Sequence, residues 1–215
     1  VAIACAIADL REYHGILTEI RGKDQPKQGI FQSKLIGRRQ DLSARSTIVS
    51  GPEMGPHQVG LPREMLKVLF RPFVVRRLVG MGITPLKAQE MIEKENPIAL
   101  AAMKQEQEYR PVILGRAPNL HKFSSMAFYP KEIPGMSIQL HPLVLVGYGA
   151  DHDGDTMSVH VPVTDKGVAE AKRLLATHPD NLRNPGTGKL MTLPLREHVL
   201  GLYRLTLPGE KKNLS

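Results

Sequence analysis

Three carboxylates stand at alternate positions, Asp151, Asp153 and Asp155, in the run GADHDGDTMSVHVP that extends from Gly149 to Pro162. In a fully extended strand alternate side chains share a face but lie roughly 6.5 Å apart, too far for three oxygens to meet one small cation. The segment must therefore curl, and Gly154 supplies the backbone freedom. Gathering three negative charges is costly unless a cation neutralises them, because like carboxylates raise one another's pKa. All-oxygen ligation suits a hard ion, Mg²⁺ or Mn²⁺, and disfavours zinc, which prefers His and Cys. A solvated acidic turn is the bland alternative. The calcium-binding EF-hand loop also opens D-x-D-x-D, yet it requires glycine at its sixth position and glutamate at its twelfth, where this chain has Thr156 and Pro162.

What must hold such a loop comes next. From Thr156 to Val161 the sequence alternates, with Met157, Val159 and Val161 on one face and Thr156, Ser158 and His160 on the other, so the loop feeds a half-buried strand. Further short apolar runs punctuated by Pro and Gly predict strands at 46–50, 112–114, 126–129, 137–140 and 143–146, enough for a compact barrel. Between the first of these and the rest the period changes. Leu66, Leu69, Phe70, Phe73, Val74 and Leu78 mark a helix from about Pro62 to Val79; a second begins after Thr84 as N-cap; a third covers about 98–108. Helices are also expected over 1–13, from Thr164 through DKGVAEAKRLLATH, and over 194–205.

The chain has 215 residues, 41% of them hydrophobic, and no apolar run long enough to span a bilayer, which fits one substantial domain or one domain with a helical insertion. The first residues read as a helix entered partway, as in a piece of a longer chain. A single cysteine, Cys5, excludes an internal disulfide framework and a Cys-based zinc site. The formal charge is +8. Twelve Lys/Arg against four Asp/Glu between Arg21 and Arg77 account for an excess of that size, the footprint of a surface that meets phosphates or of a solvated basic face. Arg38, Arg39 and Arg45 flank the strand at 46–50, and arginine suits bidentate phosphate contacts. His57, His121, His141 and His160 read as hydrogen-bonded structural residues rather than ligands. Phosphate-binding glycine loops of the Walker or dinucleotide type are absent from the sequence, against an ATPase or a Rossmann enzyme.

Laid in order, KQGIFQSKLIGRRQDLSARSTIV, GPEMGPHQVGLP, RPVILGRAPNLHK, IQLHPLV, GADHDGDTMSVHVP and VLGLYRLT resemble the largest catalytic subunit of multisubunit RNA polymerase, the bacterial β′ type, around its double-psi β-barrel. The resemblance runs from about Lys27 to Thr206. It implies an α+β fold: an N-terminal helix and basic loop over 1–35, the first part of a double-psi β-barrel with a DNA-contacting segment over 36–61, a helical insertion over 62–109, the second part of the barrel with the Mg-binding loop over 110–163, and C-terminal helices over 164–215.

Carried over residue by residue, it implies that Asp151, Asp153 and Asp155 hold a catalytic Mg²⁺, that a second Mg²⁺ arrives with the nucleoside triphosphate, that Arg116 reaches the nucleotide sugar, and that Arg38, Arg39 and Arg45 grip the DNA template. The implied activity is nucleotidyl transfer from NTP to the RNA 3′ end. It would need a β-type partner and other core subunits, in a cytoplasm, bacterial or phage-infected, with no membrane. The family's bridge helix, trigger loop and zinc-binding clamp segment are not recognisable in the sequence, so the chain alone is expected to be inactive. Three positions depart from the family pattern: Gly149 and Gly115 where asparagine is usual, and His152 where phenylalanine is usual. Gly149 cannot supply the side-chain hydrogen bond to the ribose. These departures suggest a divergent lineage, with a viral or phage source as one option. Two other functions stay open here, a two-barrel polymerase that copies RNA and a silent DNA-binding or assembly module of the same fold.

Overall fold

The computed structural model describes residues 14–16, 18–21, 29, 30, 37, 40–184, 186–192 and 196–207. The helix expected over 1–13 and the arginines at 38 and 39 lie outside them. By its contacts the chain divides into two units, 1–41 and 42–215. In the first, residues 14–16 and 18–21 are helical, and the Thr18 hydroxyl donates to the His14 carbonyl at 2.6 Å.

The second unit is built on six strands: β1 (Ser43–Ser50), β2 (Gln58–Pro62), β3 (Val112–Gly115), β4 (Ser125–Ile133), β5 (Ile138–Leu140) and β6 (Thr156–His160). They close into a barrel in the order β1-β5-β2-β4-β3-β6. Two pairings are parallel, β1 with β5 and β2 with β4; the other four are antiparallel. Parallel neighbours cannot be joined by a tight hairpin, so the chain must cross over to make both pairs. The barrel is therefore held by partners distant in sequence. Its interior is filled by Ile48, Val59, Leu61, Val112, Leu114, Phe128, Ile138, Leu140, Met157 and Val159, all buried. The fold is thus the α+β double-psi barrel with inserted and flanking helices.

One expected strand is not there. The run at 143–146 forms a 3₁₀ turn (Pro142–Val144) followed by the short helix Leu145–Tyr148, because His141 caps the turn through Nδ1, which accepts the Leu143 N–H at 3.1 Å. The strand that takes its place is β2, hidden in the Pro- and Gly-rich run GPEMGPHQVGLP. At Gly60 a Cβ would lie 2.8 Å from Ile133 Cγ2 and 2.9 Å from Gln139 Cβ, so β2 fits between β4 and β5 only because that residue is glycine.

Between β2 and β3 stand three helices, α1 (Arg63–Gly80), α2 (Pro85–Glu93) and α3 (Pro97–Tyr109). The stripe of α1 that buries Leu66, Leu69, Phe70, Phe73, Val74 and Leu78 packs against α2 and α3. Pro72 lies inside α1 and deprives the Val68 carbonyl of its helical donor, on a face where Val68 is exposed to water. Pro97 opens α3, and Asn96 caps it by accepting the Ile98 N–H at 3.0 Å.

Most cations of α1 are met by acids that follow it, on α2, on α3 and in the turn between them. Arg63 pairs with Glu95 at 2.7 Å, Lys67 with Glu95, Arg71 with Glu93 at 2.6 Å, and Arg77 with Glu106 at 2.6 Å. Part of the basic excess counted up to Arg77 is thus balanced by three glutamates, Glu93, Glu95 and Glu106, that lie beyond that stretch of sequence. Arg110, buried at the end of α3, lies over the Phe73 ring at 4.0 Å and donates to the Val163 carbonyl at 3.0 Å and to the Pro162 carbonyl. It ties the insertion to the chain leaving β6.

The helix Leu145–Tyr148 is α4; α5 (Asp165–Arg173) and α6 (Arg196–Thr206) follow the barrel. Thr164 caps α5 through its hydroxyl, which accepts the Gly167 N–H at 3.1 Å. Among the described residues no helix is long and apolar enough to cross a membrane.

Candidate metal centre

The acidic loop begins where α4 ends. Gly149 takes the left-handed conformation, φ 58°, and the chain closes on the helix by two bonds, Gly149 N–H to the Val146 carbonyl and Ala150 N–H to the Leu145 carbonyl, each 3.2 Å. Tyr148 anchors the same turn to the sheet. Its ring is buried and stacked on Phe128, and its hydroxyl donates to the Leu114 carbonyl at 3.1 Å while accepting the Met126 N–H at 3.2 Å. Burial pushes the phenol far above its ordinary pKa, so it remains a neutral donor.

At its other end the loop turns through Gly154, φ 117°, and joins the barrel at Asp155, whose carbonyl accepts the Ile48 N–H of β1 at 3.0 Å. Between these fixed ends the Asp151 N–H donates to Asp155 Oδ2 at 3.3 Å. One carboxylate oxygen from each of Asp151, Asp153 and Asp155 then lies within 4.8 Å of the other two. The curl inferred from spacing is thus made by two positive-φ glycines and a bond from the Asp151 backbone to the Asp155 carboxylate across the turn. The donors are all hard oxygens on an exposed loop, a set that fits Mg²⁺ or Mn²⁺.

The electrostatics of the three are unequal. Asp151, hydrogen-bonded to Asp153 and of like charge, holds the Asp153 carboxyl above the usual carboxylate range. Asp155 is held below it, first by Arg116, whose Nε donates to Oδ2 at 2.9 Å, and then by the Asp151 N–H.

Arg116 is thus brought against the loop directly, in a pair about three-quarters shielded from solvent on both sides. Arg45, exposed on β1, engages the residue after Asp155: Nε and Nη2 donate to Thr156 Oγ1 at 3.0 and 2.8 Å. The two arginines therefore engage consecutive residues at the start of β6. His152 is exposed between the first two aspartates. His121 caps a 3₁₀ turn by accepting the Phe123 N–H at 3.2 Å, and His160 Nε2 lies 3.2 Å from Ser158 Oγ, so both serve local structure as His141 does.

Two features escaped sequence reasoning. The Arg116–Asp155 pair joins residues 39 apart and follows from the register of β3 on β6, in which Gly115 faces Ser158. The Tyr148 anchor adjoins the motif but carries no spacing signal of its own. At the glycines that depart from the family pattern the surroundings differ. A Cβ at Gly149 would meet nothing within 4 Å, whereas one at Gly115 would lie 3.0 Å from Ser158 Oγ.

Comparison with known proteins gives concordant findings. The family model described as RNA polymerase Rpb1, domain 2, matches residues 37–110 and 82–177. The DNA-directed RNA polymerase subunit beta' of Amoebophilus asiaticus is 45% identical over 183 residues, which cover 84% of this chain and 13% of the relative. That of Chlorobium phaeovibrioides is 47% identical over 183 residues, 84% of this chain and 12% of the relative. That of Pelotomaculum thermopropionicum is 44% identical over 193 residues, 86% and 16% respectively. The chain spans less than a fifth of the length of these curated relatives.

Proposed function

The chain belongs to the family of the largest, β′-type RNA polymerase subunit, and from that premise we propose that it is the catalytic-core portion of a DNA-directed RNA polymerase, adding nucleotides from NTPs to an RNA 3′ end. The observation that carries this reading is the convergence of three carboxylate oxygens within 4.8 Å where the acidic loop enters a barrel strand.

In this reading Asp151, Asp153 and Asp155 hold one Mg²⁺. When bound, the ion supplies a lowered pKa at the RNA 3′-hydroxyl and charge neutralisation at the reacting phosphate, a second ion coming with the triphosphate. The protein's own part is to hold the three carboxylates against their mutual repulsion. The anchored turn at Tyr148 and the bond from Ile48 to Asp155 do this from opposite ends of the loop. Arg116 offers its guanidinium to the nucleotide sugar, and Arg45, with Arg38 and Arg39, takes template phosphates, contacts that fix register without reading sequence.

Gly149 brings no side chain to the ribose. Its left-handed backbone and open surroundings would nonetheless accept asparagine, which tolerates that conformation. A β-type subunit and other core subunits, the DNA template and the transcript are the partners this reading requires, in the cytoplasm of a bacterial or phage-infected cell. A silent DNA-binding module would have no need of carboxylates crowded until Asp151 pushes the Asp153 carboxyl upward.

The test is Asp153→Ala in the assembled polymerase. RNA primer extension on a DNA template should fall by about three orders of magnitude or more while subunit assembly persists. Extension at the unsubstituted rate would overturn the catalytic assignment, and a preference for RNA over DNA as template would shift it to a two-barrel RNA-copying enzyme.

A further inference from the structure

One oxygen of the acidic loop already has two donors. Asp155 Oδ2 accepts the Arg116 Nε at 2.9 Å and the Asp151 N–H at 3.3 Å. A carboxylate oxygen has two lone pairs, so these bonds occupy the atom's ordinary acceptor capacity. The backbone of Arg116 is also held where it is. Its own N–H donates to the Ser124 carbonyl at 3.0 Å, and Gly115 beside it is paired with both Ser125 and Ser158. Among the described residues Asp155 is its one ion-pair partner. A guanidinium carried on a fixed backbone therefore stands against one of the three carboxylates that the metal-site reading assigns to a divalent ion. Two cations cannot both draw fully on one carboxylate without repelling each other.

We infer that Arg116 is a resident counter-cation of the loop that competes with the divalent ion for Asp155. Metal loading then releases the Arg116 guanidinium toward the nucleotide, and the ion and the nucleotide favour each other's binding. The inference rests on the metal-site reading and deepens it. One side chain balances the loop's negative charge before loading and becomes a substrate contact after it. Linkage requires the coupling to be reciprocal: whatever factor the metal adds to nucleotide affinity, the nucleotide adds to metal affinity.

The experiment is a Mn²⁺ titration of the assembled polymerase without nucleotide, followed by electron paramagnetic resonance, so that the readout is occupancy and not turnover. Mn²⁺ lost in Asp153→Ala defines the loop site. Arg116→Gln should bind Mn²⁺ at that site ~3- to 10-fold more tightly than the unsubstituted protein, the range expected for removing a partly shielded competing pair. Arg116→Lys, which keeps the charge, should stay nearer the unsubstituted value. Arg116→Met, equally uncharged, reports the same quantity should the glutamine variant fail to assemble. Unchanged or weaker Mn²⁺ binding in the uncharged variants, with the Asp153-dependent site intact, would overturn the role of Arg116 and leave the metal site standing. Absence of any Asp153-dependent Mn²⁺ would overturn the metal site itself, and this inference with it.

Discussion

In the helical insertion the glutamates at the helix contacts meet cations: Glu95 faces Arg63 and Lys67, Glu93 faces Arg71, and Glu106 lies between Arg77 and Arg110. In the loop from 149 to 155 three carboxylates face one another and a single guanidinium. The insertion pairs most of these charges with opposite ones and contributes an apolar stripe, whereas the loop keeps like charges together on a chain turned by two positive-φ glycines between anchored ends. Local consistency marks the insertion as support, and local conflict marks the loop as the candidate site.

The contrast can be broken most forcefully at the supporting end. Phe70→Ala, at a fully buried position of α1, should cost about 3–5 kcal/mol in chemical denaturation. A loss below ~1 kcal/mol would mean that the insertion's packing contributes little. Arg110→Ala comes next. It leaves buried Glu106 with Arg77 alone and removes the bonds to Pro162 and Val163, for an expected loss of about 2–3 kcal/mol by the same measurement.

The smallest effects are the most diagnostic, because their signs oppose. Without divalent ions Asp153→Asn should raise the thermal midpoint by relieving repulsion, whereas Glu95→Gln should lower it, each by less than about 2 °C. Shifts of the same sign would dissolve the comparison.

Acid sharpens it further. Glu95, held below its ordinary range chiefly by the Lys67 hydrogen bond, contributes stability that is present at neutral pH and is lost as pH falls through that depressed pKa. Asp153, raised by Asp151, burdens the folded state above its raised pKa, and the burden lifts as pH falls through it. In metal-free protein, thermal midpoints recorded from neutral pH downward should show Glu95→Gln flattening the acid loss and Asp153→Asn removing the acid gain.

How far these regions could be read in advance follows from the range of the forces involved. The aspartates and their glycine lie within a few residues, so spacing alone implied a curled oxygen-lined loop. The α1 stripe is equally local, and its period gave the helix to within a residue or two. The run at 143–146 misled because four consecutive apolar residues suit a buried strand and a buried helix alike, and the cap at His141 decided the matter. β2 was masked by Pro52 and Pro56 before it, by Pro62 at its end and by Gly60, whose value lies in the neighbours it admits. The basic excess before Arg77 could not be discounted from sequence, since the acids that pair with α1 come from later in the chain. Arg116 was singled out by resemblance, but its bond to Asp155 depends on strand register, which no local pattern states.

The closure of the barrel has an implication for biosynthesis. β1 must find β5 and β6 across roughly half the chain, and Ile48 must reach Asp155, before the acidic loop has a fixed end. Long-range pairings of this kind form slowly. On the ribosome the helices of the insertion can condense as they emerge, but the aspartates are positioned only after β6 has been made and β1 has waited for it. The three carboxylates thus come together only when the last strand of the barrel arrives.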